Sequence, residues 1–274
     1  MILLTIRYLG VNKQLWQNMS KKIIDIATGF SILIFVWYIV VMSGIYDKAL
    51  LPSPLKVAGA VMELIKEGTL LEHFIVSFQR FLAGYIAAVV FGVALGLFLG
   101  WFRSIWNIVD PVVQVIRPVS PIAWLPFVVL LFGIGNLPAI VIIFIAAFFP
   151  ILLSTVSSIG KIDPTYFKVA RNFGIRQPHI LTKIVFPAAF PYITIGLHIG
   201  VGTGWIFLVA GEMIGAQSGL GFLIIDSRNN LRADLLIAAI IFIGLSGLLL
   251  DKLLFVLERW IGKNWGITTA YTGV

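Results

Sequence analysis

Residues 78–102 read FQRFLAGYIAAVVFGVALGLFLGWF. From position 81 onward this stretch carries no charged side chain, and a helix needs about 20 such residues to cross the hydrocarbon core of a bilayer. Ala88, Gly92, Gly96 and Gly100 recur every four residues, and such a ridge of small residues lets two helices approach closely in lipid. The stretch therefore predicts a membrane-spanning helix that packs tightly on a neighbour.

The whole chain has the same apolar character. Of its 274 residues 59% are hydrophobic, 12% are charged and none is Cys, which excludes a disulfide framework and a Cys-based metal site. A soluble domain has about twice that share of charged residues. We expect an all-α polytopic membrane bundle of about six spans, at 26–46, 78–102, 105–132 (broken by prolines), 137–159, 188–213 and 235–257.

The net charge of +8 is attributed to cytoplasmic loops rather than to nucleic-acid binding, because Lys and Arg concentrate on the cytoplasmic side of membrane proteins. With both termini inside, thirteen of the 20 basic residues fall on that side and five outside. The predicted organisation is a cytoplasmic segment 1–25 without a cleaved signal peptide, a membrane domain 26–258 and a cytoplasmic tail 259–274. The chain is thus expected to be a multi-pass membrane protein with both termini in the cytoplasm.

Two further patterns concern packing. The outer segment 51–73 begins with Pro52-Ser53-Pro54 and then has apolar residues at helical spacing, which predicts a short amphipathic helix. The fifth span repeats the small-residue ridge at Gly196, Gly200 and Gly204. Both ridges suit packing within the chain, and a contact between subunits is the alternative.

The loop 160–187 is polar but patterned. Asp163-Pro164 is typical of a helix start, and Gly174 is placed to end that helix. A second short stretch, 177–185, leads to Pro187 and the fifth span. On loop chemistry alone, the segment could equally be a capped helix that packs on its own protein.

The same loop carries a recognisable spacing. Lys168-Val169-Ala170, Gly174, Ile184 and Pro187 resemble the Glu-Ala-Ala…Gly…Ile-x-Leu-Pro motif of permeases of ATP-binding-cassette (ABC) importers, although Lys168 reverses the charge of the family's Glu. The resemblance implies a coupling helix that sits on a separate ATPase. The motif residues would have this role. Beside them, Tyr166 and Phe167 are plausible apolar contacts, and Arg171 and Arg176 are plausible polar ones.

Other stretches resemble the nitrate/sulfonate/taurine/bicarbonate branch of these permeases. They are 51–54, the run 117–126 (RPVSPIAWLP), 210–213 (AGEM) and 218–221 (SGLG). The resemblance implies a type I importer permease for a small, anionic solute, working with two ATPase subunits, a second permease copy and an extracytoplasmic binding protein. ATP and Mg would be bound by the ATPase, and no cofactor by this chain. The resemblance also implies a location in the bacterial plasma (inner) membrane.

A candidate translocation path begins in the third span. Asn107, Asp110, Gln114 and Arg117 share one helix face, and broken backbone at membrane depth is tolerated where it lines a cavity. We assign to the path the following residues: Asp110, Gln114, Arg117, Ser120, Trp124, Trp205 and Glu212. Arg117 suits an anion, or else it only holds the break through Asp110 or the backbone. Glu212 would pair with a neighbour or act in gating.

Missing motifs limit the alternatives. The sequence has no phosphate-binding loop and no hydrolase signature, so the chain is not expected to be an enzyme. The scattered histidines make a metal site improbable. The rival interpretation is an ion-gradient-driven secondary transporter with Glu212 and His198 as proton sites; the other expectation for His198 is a packed, hydrogen-bonded side chain.

Overall fold

The computed structural model describes residues 21, 24–47, 49–175 and 177–264, and within these ranges the chain is helical and contains no strand. The helices are α1 (Ile24–Met42), α2 (Pro54–Lys66), α3 (Thr69–Trp101), α4 (Arg103–Ile116), α5 (Leu125–Phe132), α6 (Asn136–Gly160), α7 (Pro164–Asn172), α8 (Gln177–Ile180), α9 (Phe186–Gly215), α10 (Leu220–Asn229) and α11 (Ala233–Asn264). A 3₁₀ turn (Pro121–Trp124) precedes α5, and a π-helical turn (Leu181–Val185) precedes α9.

Five helical segments in the described ranges are long and apolar enough to cross a membrane: α1, α3, α6, α9 with its π turn, and α11. The segments α4 and Pro121–Phe132 are bent by 82° relative to each other. They add a sixth span if they form one broken crossing. Prolines at 118, 121 and 126 lack the N–H that a straight helix needs there. The predicted helical membrane bundle is confirmed, with five spans, or six if the proline-broken pair is one crossing.

Helix α6 is the centre of the bundle, with α3 on one side and α9 on the other. A Cβ added to Gly96 of α3 would lie 2.5 Å from Cβ of Thr155, and one added to Gly196 of α9 would lie 2.6 Å from Cβ of Ser154. Both partners belong to α6. The small-residue ridges therefore allow close packing within the chain.

Several boundaries differ from the prediction. The fifth span starts earlier, because the π turn runs into α9 without a break: the Phe186 N–H donates to the Leu181 carbonyl, five residues back. Helix α10 was not predicted. Helix α11 continues to Asn264, beyond the predicted end of the sixth span at 257. Most of the segment 1–25, and residues 265–274, lie outside the described residues.

Candidate functional site

Helix α7 begins with a complete N-terminal cap. The Thr165 N–H donates to Oδ1 of Asp163 at 2.8 Å, as an N-terminal capping carboxylate does. This hydrogen bond, assisted by the Thr165 hydroxyl and the charge of Lys168, lowers the pKa of Asp163. The cap therefore fixes the residue at which α7 starts.

The other end of α7 is closed by Gly174. Its φ is +64°, a conformation that glycine adopts more readily than any residue with a side chain. The Ile175 N–H donates to the Ala170 carbonyl at 3.1 Å, which is the six-to-one hydrogen bond of a Schellman motif. The predicted helix, with Asp163 at its start and Gly174 at its end, is confirmed.

The two faces of this loop differ. Ala170 is 1% exposed and packs with Ile162 and Ile180 on the ends of the spans, whereas Tyr166 is 56% and Phe173 79% exposed. The loop is thus packed on the spans through one face and exposes apolar side chains on the other, and exposed apolar patches are typical of surfaces on which a partner docks.

The predicted coupling residues divide between these faces. Tyr166 and Lys168 are exposed. Ala170 and Ile184 lie on the inner side, so they support the loop rather than face a partner. Phe167 and Arg171 belong to α7, but their side chains lie outside the described part. Pro187 is in the first turn of α9 and, with Tyr166, lines a depression under the loop.

A polar groove runs between α4 and α6. Its lining includes Arg103, Asp110, Gln114 and Arg117 from α4 and its end, and Ser154 and Ser157 from α6. Gln114 donates to Asp110 at 3.2 Å. Within the described chain Asp110 and Arg117 form no ion pair, and neither arginine has a carboxylate partner. The groove thus brings together three of the predicted path residues, Asp110, Gln114 and Arg117, and it also includes Arg103.

Ser120 and Trp124 lie beyond the end of this groove. Ser120 is exposed at the start of the 3₁₀ turn. Trp124 is half-buried and packs with Phe207 against the cluster around Leu125 and Ile142. Arg117 links the groove to a second depression, which is lined by Val119, Pro121 and Thr203 among others.

Trp205 and Glu212 do not line the groove, in contrast to their predicted place along the translocation path. Trp205 is 5% exposed; its ring packs edge-on against Phe81, and its Nε1–H donates to the Ile243 carbonyl. Glu212 is fully buried and pairs with Arg80 at 2.7 Å. The expectation that Glu212 pairs with a neighbour is confirmed.

Arg80 is a buried charge whose partners the sequence did not indicate. Its guanidinium donates to Glu212 of α9, to Asn136 at the start of α6 and to both the carbonyl and hydroxyl oxygens of Ser218. Ser77, on the same face of α3, donates to Glu212 and accepts from the Leu220 N–H. We call Ser77, Arg80, Asn136, Glu212 and Ser218 the clasp. The available signal was an arginine inside an otherwise uncharged span, because such residues face the bundle interior and are paired.

Comparison with known proteins identifies the family. The model for "Binding-protein-dependent transport system inner membrane component" matches residues 88–263. The chain belongs to this family. It is 31% identical to the taurine transport system permease protein TauC of Escherichia coli, over 90% of this chain and 93% of that protein. It is 35% identical to the nitrate import permease protein NrtB of Synechocystis, over 88% and 90%.

A solved structure shares the fold of this permease. The MetNI methionine ABC transporter, in an inward-facing conformation, superposes with a TM-score of 0.55 at 19% identity, covering 68% of this chain and 93% of that one. The family match and the relatives TauC and NrtB identify the chain as a permease subunit of an ABC importer, a transport component of the inner membrane rather than an enzyme. Membership of the family also implies an ATPase and a binding protein as partners.

Proposed function

We propose that this permease forms, with a second copy of itself, the translocation path for a small oxyanion or organosulfonate. The observation that carries the proposal is the α4–α6 groove, in which Arg103 and Arg117 stand without carboxylate partners among the described residues. The permeases for taurine and nitrate among its relatives support the same substrate class.

The charge of the groove favours anions. Two arginines face one carboxylate, Asp110, and part of that carboxylate's capacity is taken by Gln114. Arg103 and Arg117 are about 20 Å apart along α4, at about 1.5 Å per residue. An anion passing along the groove can therefore move from one fixed cation to the next. A guanidinium offers such an ion planar paired donors as well as charge.

A second copy explains how this groove exists in a membrane. Charged side chains that face lipid are expensive, so those at membrane depth normally face protein or a water-filled cavity. The groove is open in the single chain, and the other sides of α4 and α5 expose large apolar residues such as Ile108 (76%) and Leu130 (81%). A copy that covers the open side of the groove would close it into a path, while the apolar sides of α4 and α5 can face lipid.

The loop around α7 supplies the link to the ATPase. We assign its exposed face, Tyr166, Val169 and Phe173, as the docking surface for the ATPase, which binds ATP and Mg. The buried face, around Ala170, transmits the movement because it packs on the spans. In this arrangement both termini and the loop face the cytoplasm, and an extracytoplasmic binding protein delivers the solute from the opposite side.

The experiment is uptake by the reconstituted complex, with its ATPase and binding protein, using labelled taurine, nitrate and an uncharged solute. We expect Arg117→Gln to reduce anion uptake by an order of magnitude, since a charged hydrogen bond contributes about 1.5–3 kcal/mol. Arg117→Lys should retain part of the activity. The matched control is Arg228→Gln, an exposed arginine of α10 outside the groove.

Two results would contradict the proposal. One is wild-type anion uptake by Arg117→Gln at equal abundance, which removes the groove from the path. The other is uptake that needs no ATPase but follows an ion gradient, which would restore the secondary-transporter interpretation.

A further inference from the structure

The second depression, which shares Arg117 with the α4–α6 groove, is mainly apolar. Its volume is about 430 Å³, and nine of its twelve lining residues are apolar, among them Phe149, Ile199 and Phe207. Arg117 is the only charged residue among the described ones on this lining. Pockets that bind small molecules have a similar size and composition, with mostly apolar walls and a few polar groups that fix orientation. We call this depression the side chamber.

The groove and the side chamber meet at shared residues. Arg117 and Ser154 line both of them, and we call these two residues the junction. The guanidinium of Arg117 offers an oxyanion planar paired donors, and the Ser154 hydroxyl can donate one further hydrogen bond. An anionic group held at the junction therefore has the polar groove on one side and the apolar chamber on another.

The polar atoms in the wall of the side chamber are bonded to each other. Pro150 lies inside α6 and has no N–H, so the carbonyl of Ala146, four residues earlier, lacks its helical donor. The Thr203 hydroxyl of α9 lies 3.0 Å from that carbonyl oxygen and 2.9 Å from the Ile199 carbonyl oxygen. Because a hydroxyl has a single hydrogen, that hydrogen is used within the wall. The chamber therefore offers a solute apolar contact, and the donors for an anion are at the junction.

We propose that the junction and the side chamber form a subsite for an anion that carries an apolar group, such as an alkanesulfonate. The charged head binds Arg117, and the alkyl tail enters the chamber. The inference rests on the proposed function, because it takes the groove to be a path for anions. A bare oxyanion such as nitrate has no group to fill the chamber, whereas each CH₂ that the chamber buries strengthens binding. The subsite thus favours organic anions over inorganic ones.

The size and charge of the side chamber favour a small solute as its occupant. A volume of about 430 Å³ lies near the lower end of the range for small-molecule pockets, which is little space for a lipid with two long chains. A side chain from a second copy of the permease could cover the apolar wall, but an apolar side chain would leave the charge of Arg117 without a partner. An anion with a short tail satisfies both the wall and the charge.

The experiment measures affinity along a series of solutes that differ only in tail length. The nucleotide-free complex of permease and ATPase, in nanodiscs and without the binding protein, is titrated with nitrate and with methane-, ethane-, propane- and butanesulfonate by calorimetry. Empty nanodiscs correct for partition into lipid. We expect affinity to rise about fourfold per CH₂, hence about 60-fold from methanesulfonate to butanesulfonate. Equal affinity along the series would overturn the subsite, as it would if lipid or a partner copy already filled the chamber.

Two variants locate the effect on the chain. Ile199 lines the side chamber and is 48% exposed, so Ile199→Trp should occupy the space and remove most of the dependence on tail length. The matched control is Ile206→Trp, at a 67% exposed position of α9 that does not line the chamber, which should keep the wild-type dependence. A dependence as steep in Ile199→Trp as in the wild type would overturn the subsite, and the wild-type series decides alone if this variant does not assemble.

Arg117→Gln separates the failure of the subsite from the failure of the proposed function. We expect this variant to bind nitrate and every sulfonate about tenfold more weakly or worse, since it loses a charged hydrogen bond. If it does so while the wild-type series shows no dependence on tail length, the anion path stands and the subsite is refuted. If Arg117→Gln binds all of these anions as the wild type does, the anion path is refuted and the subsite with it.

Discussion

Replacing Gly174 by Val perturbs the coupling loop through its backbone alone. A Cβ at this position would meet no atom within 4 Å, and φ is +64°. The substitution therefore adds no clash, and its whole effect is conformational. A residue with a side chain pays about 1–2 kcal/mol in the left-handed region, and strained backbone positions reach about 3 kcal/mol.

That penalty can be converted to a population. Since about 1.4 kcal/mol corresponds to a factor of ten, Val at this position should reduce the fraction of loops with the observed turn about 10- to 100-fold. The Ile175–Ala170 hydrogen bond that closes α7 would be lost with it. The spans do not depend on this turn, so insertion and abundance should stay normal.

The assay is solute uptake per ATP hydrolysed in proteoliposomes. We expect Gly174→Val to lower this ratio severely and Gly174→Asn to lower it less, since Asn tolerates left-handed backbone. Gly202→Val is the matched control, because Gly202 is on α9 with no atom within 4 Å of its Cβ position and an ordinary φ. If Gly174→Val coupled uptake to hydrolysis as the wild type does, a rigid turn at this position would not be needed.

Three further predictions concern stability. Gly96→Leu should destabilise the α3–α6 contact by about 1–3 kcal/mol or more, because its Cβ position is already 2.5 Å from Thr155; thermal unfolding in detergent measures this. Arg80→Ala should destabilise by about 3–5 kcal/mol by leaving buried Glu212 unpaired, and the double variant with Glu212→Ala should recover part of the loss. Asp163→Ala should reduce hydrogen-exchange protection of α7, whereas Asp163→Asn should not. Because folding lowers the pKa of Asp163, the charge-dependent part of its contribution is complete above the unfolded pKa of about 3.9 and is lost as the pH falls through the folded pKa. Unchanged protection of α7 in Asp163→Ala would contradict the cap.

The spans and the α7 loop could be predicted from sequence because their signals are local. An uncharged run of sufficient length, a capping Asp before Pro and a Gly after a helix each depend on a few adjacent residues. Asp163 and Gly174 behave as these rules require.

The clasp and the contacts of His198 with Asp251 and Glu258 could not be predicted in the same way. Arg80 and Glu212 are 132 positions apart, and His198 and Glu258 are 60 apart. Their pairing depends on which faces of α3, α9 and α11 meet, which hydrophobic periodicity does not determine when a helix is apolar all round. Trp205 was misplaced for the same reason: its position on a span indicates burial but not the neighbour.

The two ends of α9 explain how a short loop could move a large bundle. One end continues through the π turn into the coupling loop, and the other carries Glu212 into the clasp with α3 and α6. Helix α9 has 30 residues and is therefore about 45 Å long at 1.5 Å per residue. Its glycines at 196 and 200 place it in direct contact with α6. A helix tied at both ends and close-packed between them moves as one body, since packed interiors transmit displacement rather than absorb it. If an ATPase displaces α7 as proposed, the far end of the bundle would shift as well. Helix α4 borders the groove and lies outside these ties, so the movement would occur against it.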